Sequence, residues 1–144
     1  MKLFTIGFTK TSAESFFTRL RQAGVRQVLD VRLNNVSQLA GFAKKDDLRY
    51  FLQAIAGIGY VHQLELAPTQ AMLDAYKKQR GAWAEYEQRF LDLMAERRIE
   101  QVLEPAALDG ACLLCSEDKP HHCHRRLVAE YLQGKLPDVE IHHL

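Results

Sequence analysis

The residues best suited to chemistry fall in two stretches, Asp30-Val31-Arg32 and Cys115-Ser116-Glu117, the second running on to Cys123-His124-Arg125. An ionised thiol is a nucleophile, an imidazole or carboxylate moves protons near neutral pH, and arginine grips a carboxylate or phosphate through two parallel N–H bonds. These types together describe nucleophilic or redox chemistry on a small anionic molecule. In that reading Arg32 and Arg125 hold the anion, with Asp30 and Ser37 completing the polar lining. Cys115 or Cys123 supplies the thiol, and Glu117 or His124 moves the proton. His124 and Arg125 are expected in the first turn of a helix, where cations oppose the macrodipole and an anionic ligand would resolve the conflict. The plainer alternative is that Arg125 pairs with Asp30 or Glu117 as a buried structural ion pair. Asp30, at the end of a buried strand, needs a partner in either case.

Cys112-Leu113-Leu114-Cys115 matches the Cys-x-x-Cys pattern of redox and zinc sites. On a strand, however, residues three apart point to opposite faces about 10 Å apart, beyond the reach of a disulfide. Cys112 is therefore expected in the core. Cys115 and Cys123 are the better candidates, because one ends a strand and the other begins a helix whose positive end lowers a thiol pKa. His121, His122 and His124 add ligands of the type zinc prefers, although the spacing is that of neither a finger nor a ribbon. A second reading follows: a binding or regulatory module, recognising a nucleic acid or a protein, whose Cys/His cluster is structural or holds a metal. No cofactor motif is present: Gly-x-Ser-x-Gly, the P-loop and Gly-x-Gly-x-x-Gly are all missing, and Gly7 stands as a lone glycine. Trp83 and Tyr86 read as core, Lys77 to Arg80 and Arg97-Arg98 as solvated faces. His142 and His143 end a strand that could touch the same edge.

The elements that must position these residues are legible from periodicity. Leu3 to Phe8 is β-rich. Thr11 to Glu14 forms a capping box for a helix on which Ala13, Phe16, Phe17 and Leu20 share a face, closed by Gly24. Val25 to Val31 follows as a buried strand, so strand, helix and strand within about thirty residues make a βαβ unit with parallel neighbours. Arg32 to Lys45 reads as a long loop. Leu48 to Ile55 is helical, with Asp46 or Asp47 at its cap and Gly57 at its exit, and Tyr60 to Leu66 is a third strand. A weak helix from Pro68 and a stronger one carrying Trp83, Tyr86, Phe90 and Met94 come next. Ile99 to Leu103 is a short strand and Ala111 to Cys115 an apolar one covered on both faces. A helix from Cys123 to Gln133, with Gly134 just beyond, and an edge strand from Val139 close the chain.

The 144 residues, 47% hydrophobic and 26% charged, have the balance of a globular domain and exclude a disordered tail. A formal charge of +1 gives no global field for nucleic acid or an anionic membrane, so nucleic acid is disfavoured as a partner. Three cysteines are too few and odd for a disulfide framework, which points to the cytoplasm and free thiols. The N-terminal apolar run lacks the features of a signal peptide, and no segment approaches the ~20 apolar residues of a membrane span.

These residues resemble the domain of unknown function 488 family along most of the chain. The resemblance rests on Thr5-Ile6-Gly7, Asp30-Val31-Arg32, Gly41-Phe42, Tyr60 with Glu65-Leu66, and Leu113-Leu114-Cys115-x-Glu117 followed by Pro120-x-x-Cys123-His124-Arg125. It implies an α/β domain with a shared polar site at Arg32, Cys115, Glu117, Cys123, His124 and Arg125, and it brings no established reaction. The chain departs from the pattern at Asn35-Val36-Ser37, where Pro-x-Ser is usual, and at Leu66-Ala67-Pro68, where a Leu-Gly type turn is common. The expected architecture is a single three-layer α/β domain over residues 1–144, with a mostly parallel central sheet of about five strands flanked by helices.

Overall fold

The computed structural model describes residues 1–36 and 41–144. Five strands, β1 (Lys2–Gly7), β2 (Gln27–Asp30), β3 (Gly59–His62), β4 (Ala111–Cys115) and β5 (Glu140–His143), form one sheet in the order β3-β2-β4-β1-β5. Every neighbouring pair is parallel. Among the described residues seven α-helices flank it: α1 (Ala13–Ala23), α2 (Lys45–Phe51), α3 (Gln70–Leu73), α4 (Trp83–Arg97), α5 (Ile99–Val102), α6 (Pro105–Leu108) and α7 (His124–Lys135). Wider turns at Leu52–Ala56 and Asp74–Lys78 extend α2 and α3.

Alternation along the strands sorts the core into two layers. Phe4, Ile6, Val28, Cys112 and Leu114 pack with Phe16, Phe17 and Leu20 of α1 and Leu48 of α2. Leu3, Leu29, Leu113 and Cys115 pack with Phe90 and Met94 of α4 and Leu127 and Val128 of α7. β4 is the central strand and is buried throughout, which explains its unbroken apolar run. Cys112 and Cys115 lie on opposite faces, as strand geometry requires.

Several local expectations are corrected. Ser12, not Thr11, caps α1: its side chain accepts from Ser15 N, while the Thr11 hydroxyl turns to Thr9 O. Lys44 stands at the start of α2, and Asp46 and Asp47 lie inside its first turn, where they complement the dipole. Ile99 to Leu103 is helical, not a strand. Leu103 N donates to Ile99 O, and Gln101, which an alternating strand would turn inward beside Ile99 and Leu103, is exposed. β3 stops at His62 because its neighbour β2 stops at Asp30; after Gln63 N donates to Asp30 O, Leu64–Leu66 coils into a 3₁₀ turn. α7 begins at His124 with Cys123 as N-cap and runs through Gly134 to Lys135.

Candidate functional site

Strand order decides what meets at the carboxyl edge. β2 and β4 are neighbours, and the ladder continues one step past β2, where Val31 N donates to Leu114 O. α7 starts above this edge with Cys123 in extended backbone, φ −135° and ψ 138°, and carries no side-chain capping bond there. Its thiol is consequently left for the site.

Cys115 Sγ lies 3.5 Å from His124 Nδ1, and His124 Nε2 lies 2.7 Å from the Val31 carbonyl oxygen. A carbonyl only accepts, so the Nε2 contact places the ring proton there and leaves Nδ1 as an acceptor facing Cys115. Burial pushes the His124 pKa down, which favours this neutral form. Cys115 is held below the ordinary thiol range, chiefly by a hydrogen bond from the Cys123 thiol, with help from the Ser116 amide and Arg125 against the opposing effect of burial. Cys123 moves the other way, because its hydrogen is committed to Cys115 and because it is buried. Cys112, enclosed on the far face, is pushed far up by burial alone. The donor atoms of Cys115, Cys123 and His124 all lie within 4.8 Å of one another, the one such group of metal-ligand type among the described residues.

The two arginines have separate surroundings. Arg32 Nε and Nη2 form a fork on Asp30, at 2.8 and 2.7 Å, and Nη2 also donates to Ala43 O. Asp30 further accepts from the Tyr60 hydroxyl at 2.5 Å, and Asn35 donates to that hydroxyl. Arg125, fully buried, donates to the Glu117 backbone carbonyl at 2.5 Å and to Thr5 Oγ1 at 3.4 Å. The alternative pairing of Arg125 with Asp30 or the Glu117 carboxylate does not form: Arg32 takes the Asp30 carboxylate, and Arg125 takes the Glu117 main chain. The Glu117 side chain is half exposed and sits 3.6 Å from Lys77. One buried nitrogen on each arginine, Arg32 Nη1 and Arg125 Nη2, has no hydrogen-bond partner among the described residues. Ser37 lies outside the described residues.

A cleft of about 140 Å³ opens beside the thiols, lined among others by Arg32, Tyr76, Lys77, Trp83, Cys115 and His124. Cys123 and Glu117 also reach it, whereas Arg125 does not. Trp83 stacks on His122, with ring centres 4.9 Å apart, and meets Tyr76 at 5.5 Å, so these aromatics wall the cleft as well as covering the core. At the other end of the edge, His143 Nδ1 and Thr5 Oγ1 are 2.6 Å apart, which brings β5 against the Arg125 side, while His142 pairs with Glu140.

Gly7 is the residue whose importance the sequence conceals. A Cβ there would collide with the Glu117 carbonyl and stand 2.9 Å from Arg125 Nη1, so the bare backbone of β1 is what lets Arg125 and the Cys115 loop close together. Its one available signal was its place in Thr5-Ile6-Gly7. The Val31 carbonyl had none, since any residue carries one.

Searches of the curated proteins and of the solved structures return no match to the chain. No helix among the described residues is long and apolar enough to cross a membrane. A family model matches residues 12–132, a span that holds β2, β4, the thiols, His124 and both site arginines. The chain belongs to the family described as Domain of unknown function DUF488.

Proposed function

We propose that the chain is a small thiol-dependent enzyme acting on an anionic small molecule in the cleft, with Cys115 as nucleophile and His124 as its base. The observation that carries this reading is the Cys115 Sγ to His124 Nδ1 contact of 3.5 Å, with the ring proton held on the far nitrogen by Val31. A base oriented by a third group is the arrangement that activates a weak nucleophile. Cys123, whose sulfur lies within 4.8 Å of the same thiol and imidazole, supports it by helping to hold Cys115 below the ordinary thiol range. Lys77 at the rim and Arg32 in the wall are the cations of the cleft, paired with Glu117 and Asp30, and an anion displaces Glu117 from Lys77 or takes the Arg32 Nη1 that has no partner among the described residues. Arg125 acts from beneath, holding the Glu117 main chain and biasing Cys115 toward thiolate.

The test is alkylation of the folded protein by iodoacetamide, followed residue by residue by mass spectrometry across pH. Cys115 should react first, with a midpoint below that of a free thiol, and Cys112 should react only after unfolding. Inorganic phosphate should slow the reaction, and Lys77→Gln should weaken that protection. Equal reactivity of all three thiols, appearing only on unfolding, would sink the reading.

A second reading is favoured by one observation, the three donor atoms within 4.8 Å. Two thiolates and an imidazole whose other nitrogen donates to a carbonyl match the usual support of a zinc ligand set. In that case purified protein carries one equivalent of zinc, lost in Cys123→Ser and in His124→Gln, and Cys115 is silent to iodoacetamide until the metal is chelated.

A further inference from the structure

We infer that Cys115 and Cys123 form a working dithiol that reduces a small disulfide bearing a carboxylate, Cys115 attacking and Cys123 resolving. The inference rests on Cys115 being the reactive thiol of the cleft and adds the role of Cys123 and the class of substrate. Three observations carry it. The two sulfurs lie within 4.8 Å of each other, whereas Cys112 belongs to the opposite core layer and cannot intervene. His124 Nδ1 is in hydrogen-bond contact with Cys115, which separates an activated thiol from an unassisted neighbour. Cys123 occupies the N-cap of the 12-residue helix α7 without a side-chain capping bond, so turning its sulfur toward Cys115 breaks no cap.

The substrate class follows from what the second thiol can do. A carbon electrophile would leave Cys115 acylated or alkylated, and Cys123 would have no disulfide to reduce. A sulfur electrophile uses both thiols. His124 takes the Cys115 proton, the Cys115 sulfur attacks one sulfur of the substrate, and the substrate S–S bond breaks. One half leaves as a thiolate and collects the proton from His124, while the other stays as a mixed disulfide. Cys123 then passes its proton to His124 and attacks the Cys115 sulfur, expelling the second half, which leaves as a thiol. The substrate gains two electrons and becomes two thiols, the chain gains the Cys115–Cys123 disulfide, and a dithiol reductant restores it by the reverse exchange. The cleft of about 140 Å³ admits a group of roughly benzene size, so one half of such a disulfide enters. Lys77 and Arg32 line it, each beside an acid of its own, Glu117 and Asp30, and Arg32 Nη1, buried and without a hydrogen-bond partner among the described residues, is the donor left for a carboxylate on that half.

The experiment treats the reduced full chain, freed of reductant, with dithiodipropionate, with the neutral bis-hydroxyethyl disulfide and with hydrogen peroxide in parallel, reading released thiol and intact mass. Dithiodipropionate should release two thiols per chain and leave a Cys115–Cys123 bond in the peptide map. The neutral disulfide should react at least about tenfold more slowly at low salt, the lower end of what electrostatic steering provides. Cys123→Ser should release one thiol and stop at a mixed disulfide on Cys115, and Cys123→Ala gives the same readout should the serine variant fail to fold. A mixed disulfide that persists on the wild-type chain overturns the resolving role of Cys123. Peroxide closing the bond faster than dithiodipropionate, or equal rates for the charged and neutral disulfides, overturns the substrate class. If iodoacetamide modifies Cys115 but no disulfide exchanges with it, this inference falls while the thiol reading stands; if neither reagent touches Cys115, the thiol reading falls too.

Discussion

At the residue scale the site is built as much from main chain as from side chains. The Val31 carbonyl sets the His124 tautomer, and the Glu117 carbonyl takes the Arg125 guanidinium. Asp30 is ringed by Arg32, Tyr60 and Asn35, so its buried charge is paired with one guanidinium and further hydrogen-bonded by two neutral donors, and Tyr60 is held protonated by burial and by Asp30. Gly7 makes the sharpest single-residue prediction. In Gly7→Ala the new methyl group meets the Glu117 backbone, which moves only with its loop, and the added bulk should cost about 1–3 kcal/mol in urea unfolding. Because Arg125 is displaced with it, the pH midpoint for Cys115 alkylation should rise toward that of a free thiol. An unchanged midpoint would show that Arg125 exerts no influence on the sulfur through this contact.

At the element scale two segments matter most to the chemistry. β4 carries Cys115 to the edge from the centre of the sheet, and α7 lowers Cys123 and His124 onto it from above. α7 and the Cys115 face of β4 belong to the layer that contains α4, whereas α1 packs on the other face of the sheet. The caps of that second layer should therefore affect stability without touching the site. Ser12→Ala, which removes the bond to Ser15 N, should lower unfolding stability by about 1 kcal/mol. Its Cys115 alkylation rate should match the wild type, and a changed rate would mean that the two faces communicate through the sheet. Elements of this kind were readable in advance where the hydrophobic period was long, as on α1, α4 and β4. The short run Ile99 to Leu103 was not, because five residues fit a strand or one helical turn equally well, and packing beneath α7 decided between them.

For the molecule as a whole, the buried neutral imidazole sets a pH dependence with a definite sign. The folded His124 pKa lies below its ordinary value of 6.5, so between that value and the folded one the unfolded chain binds a proton that the folded chain does not. Stability therefore falls as pH drops through this window, with a slope of up to about 1.4 kcal/mol per pH unit for one proton. His143, also lowered by partial burial, adds in the same direction. Urea midpoints measured from pH 7 downward should show this slope, and His124→Gln should flatten it; an unchanged slope in that variant would assign the effect to other groups. The meeting of two loops at the carboxyl edge required β2 and β4 to be neighbours, a matter of strand order; the parallel α/β sheet and the separation of Cys112 from Cys115 followed without coordinates from strand alternation, helical periodicity and the βαβ rule. Which arginine holds which partner did not, because Arg32 and Arg125 are identical in chemistry and only the distances across β2, β4 and β1 assign Asp30 to one and the Glu117 carbonyl to the other. Residue types and spacing determined by themselves that thiols, an imidazole and cations stand at the carboxyl ends of strands and the start of a helix. Which thiol faces the imidazole was decided by the tertiary structure alone, since that depends on the angle at which α7 meets β4, and no local preference of the chain encodes it.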